Sequence, residues 1–267
     1  MRSKLSLGLR IDKKEWRWVL VSHDKGDIKI IKSGKDKANQ CILELNKIKK
    51  SPLFFGLSMQ AIKYSSMEVP KDFNEKTIEA QLELKSPSLF GVSYEELLVS
   101  ISNEVFSQDE KRIINVEAVK KSTVNHCFKT LKPIRHKPFF IGTEVSGLAS
   151  LAELFYQVNK AFCIVQVTYD ALVMLVYYRD EIVIEKLVPI NAFAEEQIKP
   201  GLLIICQELK ELFYEENITF LLDSLLSDYE SFFKETIVCD ILNNQSLGLG
   251  GVDLMAYGLA LQGVCNA

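Results

Sequence analysis

A pattern of strand, tight turn, strand, tight turn, strand occurs twice in this sequence, and a chain built that way is held to a duplicated fold. Residues 5–32, LSLGLRIDKKEWRWVLVSHDKGDIKIIK, pass from an apolar run through a charged turn at Asp12, Lys13, Lys14 and Glu15 into a second run that starts at Trp16. A turn at Asp24, Lys25, Gly26 and Asp27 then leads to a third. Residues 162–190, FCIVQVTYDALVMLVYYRDEIVIEKLVPI, repeat the plan with turns at Thr168, Tyr169 and Asp170 and at Arg179 and Asp180. Each copy opens one half of the chain, which predicts an internally duplicated α/β protein.

Between and after these copies the apolar spacing alternates between helical and extended. Helices are expected over 36–50, where Ile42, Leu45 and Ile48 recur and lysines close the run, and over 74–85, with Asn74 as cap and Ser86-Pro87 as stop. Further helices are expected over 121–132, 146–159, 193–215 with a break at Pro200-Gly201, 225–235 and 252–263. The stripe of the long one is Leu202, Ile205, Leu209, Leu212 and Phe213, and Gly258 and Ala260 in the last permit close packing. Strands are expected over 53–61, 62–69, 95–105, 111–118, 139–142, 218–222 and 237–242, so that residues 70–118 form a small α+β unit.

At 267 residues, 48% apolar and 25% charged, the chain has the composition of a soluble globular protein with one large or two medium domains. Its apolar runs fall short of the roughly 20 residues that cross a bilayer, and Met1-Arg2-Ser3-Lys4 opens no signal peptide, so a cytoplasmic location is expected. Cys41, Cys127, Cys163, Cys206, Cys239 and Cys265 stand singly in apolar contexts, as reduced core residues do. Net charge is −3, but residues 1–138 carry 26 Lys+Arg against 17 Asp+Glu while residues 139–267 carry 6 against 18. Such asymmetry suits nucleic acid, anionic lipid or a solvated surface. The last is the simpler reading, because the lysines lack the aromatic interleaving of a stacking platform.

Motifs for chemistry are sparse. There is no GxSxG, Walker lysine motif, HExxH or GxGxxG, and no metal-ligand spacing. His23, His126 and His136 read as surface residues, and the pairs Glu95-Glu96, Glu195-Glu196 and Glu215-Glu216 as solvated caps. Trp16 and Trp18 would share one strand face, in the core or at a binding surface. Gly248-Leu249-Gly250-Gly251 could hold phosphate at a helix N-terminus, but is more simply the entry to the last helix.

In the order of its elements the sequence resembles the actin-like superfamily, whose halves are ribonuclease-H-like. Within it the likeness is to PilM-type proteins of type IV pilus assembly and to the cytoplasmic domain of the type II secretion L component. The likeness rests on residues 8–17, GLRIDKKEWR, where the family runs like GIDIGSSSVK. It also rests on residues 68–92, which are similar to the inserted subdomain of PilM-type proteins, and on residues 256–263, AYGLALQG, which resemble a closing helix of the form AxGLALRG. The resemblance implies a first actin-like half over 1–145, with an inserted subdomain over about 62–118, and a shortened second half over 146–267. The shortening falls between Pro189 and Pro200, where the family carries an insert.

Measured against that family the nucleotide loops are altered. An actin-like ATPase uses loop glycines so that backbone N–H groups can reach phosphates, and carboxylates to organise Mg²⁺ and water. Here Arg10 stands for the first loop's Asp and Asp12 for its Gly, while Arg17 keeps a basic residue where lysine is common. In the second loop Gln166 replaces Asp, Thr168 replaces Gly and Leu172 replaces Thr, with Asp170 between them; Asp223-Ser224 replaces the nucleoside diglycine. The expectation is a non-catalytic scaffold, a pseudo-ATPase with no cofactor, neither ATP nor Mg²⁺, and no metal. It would lie cytoplasmic and peripheral to the inner membrane, without a span of its own. The implied partners are the cytoplasmic tail of a bitopic membrane protein, held near Leu57, Met59, Ile62, Leu82 and Leu89, and the assembly ATPase of a pilus or secretion platform. Nucleic acid is not among them, and a homodimer is left open. The alternative is an enzyme, a nucleotide-binding actin-like ATPase or sugar or acetate kinase-like protein that still takes ATP through altered loops.

Overall fold

The computed structural model describes residues 4–11, 15–108, 111–156, 160–179, 181–190, 195–214, 217–242, 244–245 and 247–265. It comprises two compact units, one of Met1–Leu57 with Ile134–Ala267 and one of Ser58–Pro133.

The first unit holds two five-stranded sheets of one design. The first runs in the order β3 (Asp27–Asp36), β2 (Trp16–Asp24), β1 (Lys4–Ile11), β4 (Leu53–Leu57) and β8 (Pro138–Thr143). The second runs β11 (Glu181–Pro189), β10 (Ala171–Tyr178), β9 (Ala161–Val167), β12 (Ile218–Leu222) and β13 (Cys239–Ile241). In each, the first three strands in sequence form an antiparallel meander and the other two add in parallel beside the first. The duplication read from the two strand–turn–strand copies is therefore a duplication of whole sheets. Every residue of β9 and residues 171–177 of β10 are buried, which explains their unbroken apolar runs: strands covered on both faces need no polar alternation.

Helices complete the repeat. α1 (Ala38–Lys47) follows β3 as α5 (Glu195–Leu212) follows β11, and α4 (Glu144–Phe155) follows β8 as α7 (Leu254–Cys265) follows β13. By this parity α4 ends the first set of elements and β9 begins the second. α7 packs on β1, β2 and β4, and crosses α4. At the crossing the two helices touch backbone to backbone, since a Cβ on Gly258 would fall 1.8 Å from the carbonyl oxygen of Gly147. On the sheet side a Cβ on Gly8 would fall 1.9 Å from the carbonyl oxygen of Ala256, so glycine is required there too.

Several boundaries differ from the sequence reading. α5 runs unbroken through Pro200, because a proline near the start of a helix forfeits one hydrogen bond while Leu202, Ile205, Cys206 and Leu209 bury a stripe against β9 and β10. Leu212 is exposed and Phe193 lies outside the described residues. The helix expected over 225–235 is a 3-10 turn, Ser224–Tyr229, followed by α6 (Glu230–Thr236). The strand expected over 53–61 ends at Leu57. His136 is buried, not a surface residue: its Nε2 meets the Leu45 carbonyl at 2.9 Å and its Nδ1 accepts from the Ser51 N–H at 3.2 Å, tying the end of α1 to the approach to β8.

The second unit is an antiparallel sheet in the order β5 (Ile62–Pro70), β7 (Lys111–Lys120), β6 (Leu97–Gln108), with α2 (Glu75–Phe90) on one face and α3 (Lys121–Leu131) after it. Ile78, Leu82 and Phe90 of α2 meet Met67, Val69, Ile114, Val116 and Ala118 of the sheet. The compact unit is longer than the span 62–118 expected for the insertion. α2 also outruns its expected stop: it continues through Pro87, with the Ser86 hydroxyl donating to the Leu82 carbonyl, and ends at Gly91, whose φ of 72° is the left-handed cap that glycine provides.

Candidate functional site

The site grows from β1 and β2. Their register sets Arg10 opposite Arg17, so the two side chains share one face of the first sheet. That face is covered by α7, and the residue that precedes this helix, Asp253, supplies a carboxylate. Arg10 is 1% exposed, and its Nε donates to Glu144 Oε1 at 2.9 Å while its Nη1 donates to Asp253 Oδ2 at 2.8 Å. Arg17 donates from Nη1 to the same Asp253 oxygen at 3.2 Å and from Nε to Glu15 Oε1 at 2.7 Å. Two arginines and two buried carboxylates thus form a cluster, with Glu15 at its more exposed edge.

Each acid is placed by a helix. Glu144 opens α4 behind the cap Thr143, and Asp253 caps α7, its Oδ1 accepting from the Ala256 N–H at 2.9 Å. Burial alone would raise the Asp253 pKa, but Arg10, Arg17 and the Ala256 N–H outweigh it and hold the carboxyl below its ordinary value. Burial likewise works against the charged Arg17, and Asp253 and Glu15 overcome it, so its pKa is raised. Asp223, beside this cluster, is shifted upward, mainly by burial.

The second loop sits across from this cluster. The Gln166 side chain donates to Asp223 Oδ2 and accepts from the Leu254 N–H at 3.1 Å, so it joins β9, the end of β12 and the start of α7. Thr168 closes the β9–β10 turn on itself: its N–H and hydroxyl both donate to the Ala171 carbonyl, and the Ala171 N–H donates back to the hydroxyl at 3.0 Å. Backbone N–H groups that a phosphate would need are thereby spent inside the turn. Asp223 caps the 3-10 turn through the Leu225 N–H, and Ser224 follows it.

Beside the cluster lies a cavity of about 240 Å³ lined by Arg17, Trp18, Ser33, Lys35, Asp223, Ser224, Gly251 and Asp253. It is smaller than the roughly 300–1,000 Å³ of typical ligand sites. Two of its walls are carboxylates, which repel a polyphosphate, and Arg17, a cation of the lining, is engaged by Asp253 and Glu15. A larger open depression of about 710 Å³ lies away from this chemistry, at the edge strand β13, between Phe213, Tyr214, Ile237 and Val238.

Arg10, Arg17, Gln166, Asp223 and Ser224, singled out from the sequence, gather at this site. Thr168 supports it from the β9–β10 turn. Asp170 lies in the same turn, where its carbonyl accepts from the Ile190 N–H at 2.9 Å. Asp12 lies outside the described residues. Sequence reasoning missed Glu144 and Asp253, which reach Arg10 from 134 and 243 residues away. Trp18, read as core or binding surface, is 3% exposed and lines the cavity. Of the residues expected at a partner groove, Leu82 is fully buried in the core of its own unit, Leu89 is half-buried against that core, and Leu57 and Ile62 are buried. Met59 belongs to a 3-10 turn, Met59–Ala61. Among the described residues no group of three or more His, Cys, Asp or Glu side chains could hold a metal, and no helix is long and apolar enough to cross a membrane.

No protein-family model and no curated relative matches the chain. Among solved structures it is similar to the PilM-PilN type IV pilus biogenesis complex, at a TM-score of 0.71 and 16% identity over 97% of this chain and 98% of that one. It is also similar to the cytoplasmic domain of EpsL, an inner membrane component of the type II secretion system of Vibrio cholerae, at 0.52 and 12% over 99% and 96%. A Bacteroides thetaiotaomicron protein of actin-like ATPase fold and unknown function matches at 0.50 and 13% over 93% and 96%. At these identities the likeness is one of fold. The chain has the actin-like fold, a duplicated ribonuclease-H-type architecture, in the form shared with PilM and the cytoplasmic domain of EpsL.

Proposed function

We propose that this protein is a non-catalytic scaffold of a bacterial type IV pilus or type II secretion platform, cytoplasmic and peripheral to the inner membrane. The observation that carries the reading is Arg10 locked between Glu144 and Asp253, in a fold whose active members close that region on phosphate. An arginine, two acids and a self-closed second loop occupy the place of a phosphate cradle, so positioning partners is the function that the geometry supports. By analogy with the PilM-PilN complex, one partner is the cytoplasmic tail of a bitopic membrane protein. The assembly ATPase of the same machine is a second.

Isothermal titration and thermal unfolding with Mg-ATP test this. A ligand at a hundred times its Kd adds ~2.7 kcal/mol of stability, a shift of ~5–10 °C for a protein of this size. The scaffold reading expects no such shift and no phosphate release. The same chain should bind a synthetic peptide copying the cytoplasmic tail of a bitopic pilus or secretion protein from the same organism.

A nucleotide-binding reading keeps one specific observation in its favour, the cavity at Arg17, Lys35 and Ser224. It predicts saturable stabilisation by Mg-ATP that is lost in Arg17→Ala, and that result would overturn the scaffold proposal.

A further inference from the structure

The basic charge of this protein lies in the segment that builds the first sheet, its turns and α1, and not in the inserted unit. Residues 1–57 carry 14 Lys+Arg against 6 Asp+Glu, whereas residues 58–133 carry 10 against 11. Part of it converges at one end of that sheet. β1, β4 and β8 are parallel, with Leu7 beside Leu53 and Leu53 beside Pro138, so the segments that enter β4 and β8 emerge at the same end. Those segments are Lys49-Lys50-Ser51-Pro52 and Arg135-His136-Lys137.

They are stapled together. The Arg135 N–H donates to Asn46 Oδ1 at 2.7 Å, the Ser51 N–H to His136 at 3.2 Å and the Leu53 N–H to the Lys137 carbonyl at 3.3 Å. Lys49, Lys50, Arg135 and Lys137 are all exposed. Glu44, the one acid of α1, is already engaged by Lys47 at 2.6 Å and Lys32 at 3.3 Å.

Next to these cations the edge strand β8 shows two aromatic rings. The register of β8 slips between Pro138 and Phe140, and this irregularity brings both Phe139 and Phe140 against Phe54, with ring centroids at 5.5 and 6.1 Å. Phe139 is nevertheless 76% exposed and Phe140 43%. Lysines alone are what any solvated surface carries. Four cations beside two protruding rings are a different arrangement, because aromatic residues with adjacent Lys and Arg suit the boundary between lipid headgroups and acyl chains.

We infer that this end of the first sheet docks on an anionic phospholipid surface, with Lys49, Lys50, Arg135 and Lys137 on headgroups and Phe139 at the interface. The inference rests on exposed side chains alone, so it stands or falls separately from the scaffold reading.

The test is co-sedimentation of the whole chain with phosphatidylcholine vesicles, with and without phosphatidylglycerol. Binding is expected only with phosphatidylglycerol, and is expected to fade as salt rises. Each basic residue near such a surface contributes about fivefold to partition, so Lys49→Gln with Lys50→Gln should lower it about 25-fold. Phe139→Ala should lower it several-fold with the salt dependence intact. All three positions are exposed, and unchanged thermal unfolding will show that the variants fold. Absence of binding to phosphatidylglycerol vesicles at low salt overturns the inference, as does equal binding to neutral vesicles or indifference to the variants. Two other results overturn it by naming a different occupant: a dimer that depends on Lys49 and Lys50, or binding to duplex DNA, with no vesicle binding in either case.

Discussion

Arg10 receives its two carboxylates from helix starts far apart in the chain, and that explains why the site was only half legible. An Arg in place of an Asp and side chains in place of loop glycines can be seen in the sequence. Glu144 and Asp253 cannot, because each has a sufficient local explanation as an acid at a helix N-terminus. Asp253→Ala is expected to destabilise the protein by ~3 kcal/mol in urea unfolding, since it takes the shared carboxylate from two buried arginines and leaves Arg10 to Glu144 and Arg17 to Glu15. Asp253→Asn supplies a pH test. The native carboxyl sits below its usual 3.8, so its contribution is present above the unfolded value and is lost as pH falls through the folded one. The stability gap between wild type and Asp253→Asn should therefore narrow as pH falls below 3.8. Asp223, shifted upward, contributes in the opposite sense: its term is favourable below 3.8 and is lost as pH rises through its folded value. In Asp223→Asn that loss should be absent.

At the scale of elements, strands were more legible than helix ends. The two meanders stand where their apolar runs and turns put them. α2 did not stop at Ser86-Pro87, because a proline signal is local while Phe90, one turn on, is buried to 1% in the core of the unit. Pro87 is exposed in the body of a helix and gives up one backbone bond there. Pro87→Ala should raise the stability of this unit by ~1 kcal/mol or more, read from the denaturant midpoint. The α4–α7 crossing predicts the reverse. Gly258→Val must push Gly147 away, and should cost ~2 kcal/mol or more in the same measurement, whereas Gly250→Val, where a Cβ meets only the Gln245 side chain at 3.7 Å, should cost far less.

The whole molecule has two compact units with separate cores. Strand and helix signals crowd into residues 70–118, but the compact unit runs on to Pro133, because a helix between strands gives no sign of which sheet it serves. A small core stabilises less than a large one. Hydrogen exchange should accordingly show β5, β6 and β7 opening together at lower free energy than β1 and β9. The lopsided charge was legible as a total, and only the strand order showed that the segment that builds the first sheet carries the positive excess and the inserted unit does not.

The crossing of α4 and α7 has a mechanical consequence. Helices that meet through long side chains can slide by repacking rotamers, but two backbones in contact at Gly147 and Gly258 have nothing to repack. With Arg10 bolted to both helix starts, sliding one helix along the other would require the backbones to part and both Arg10 ion pairs to break together.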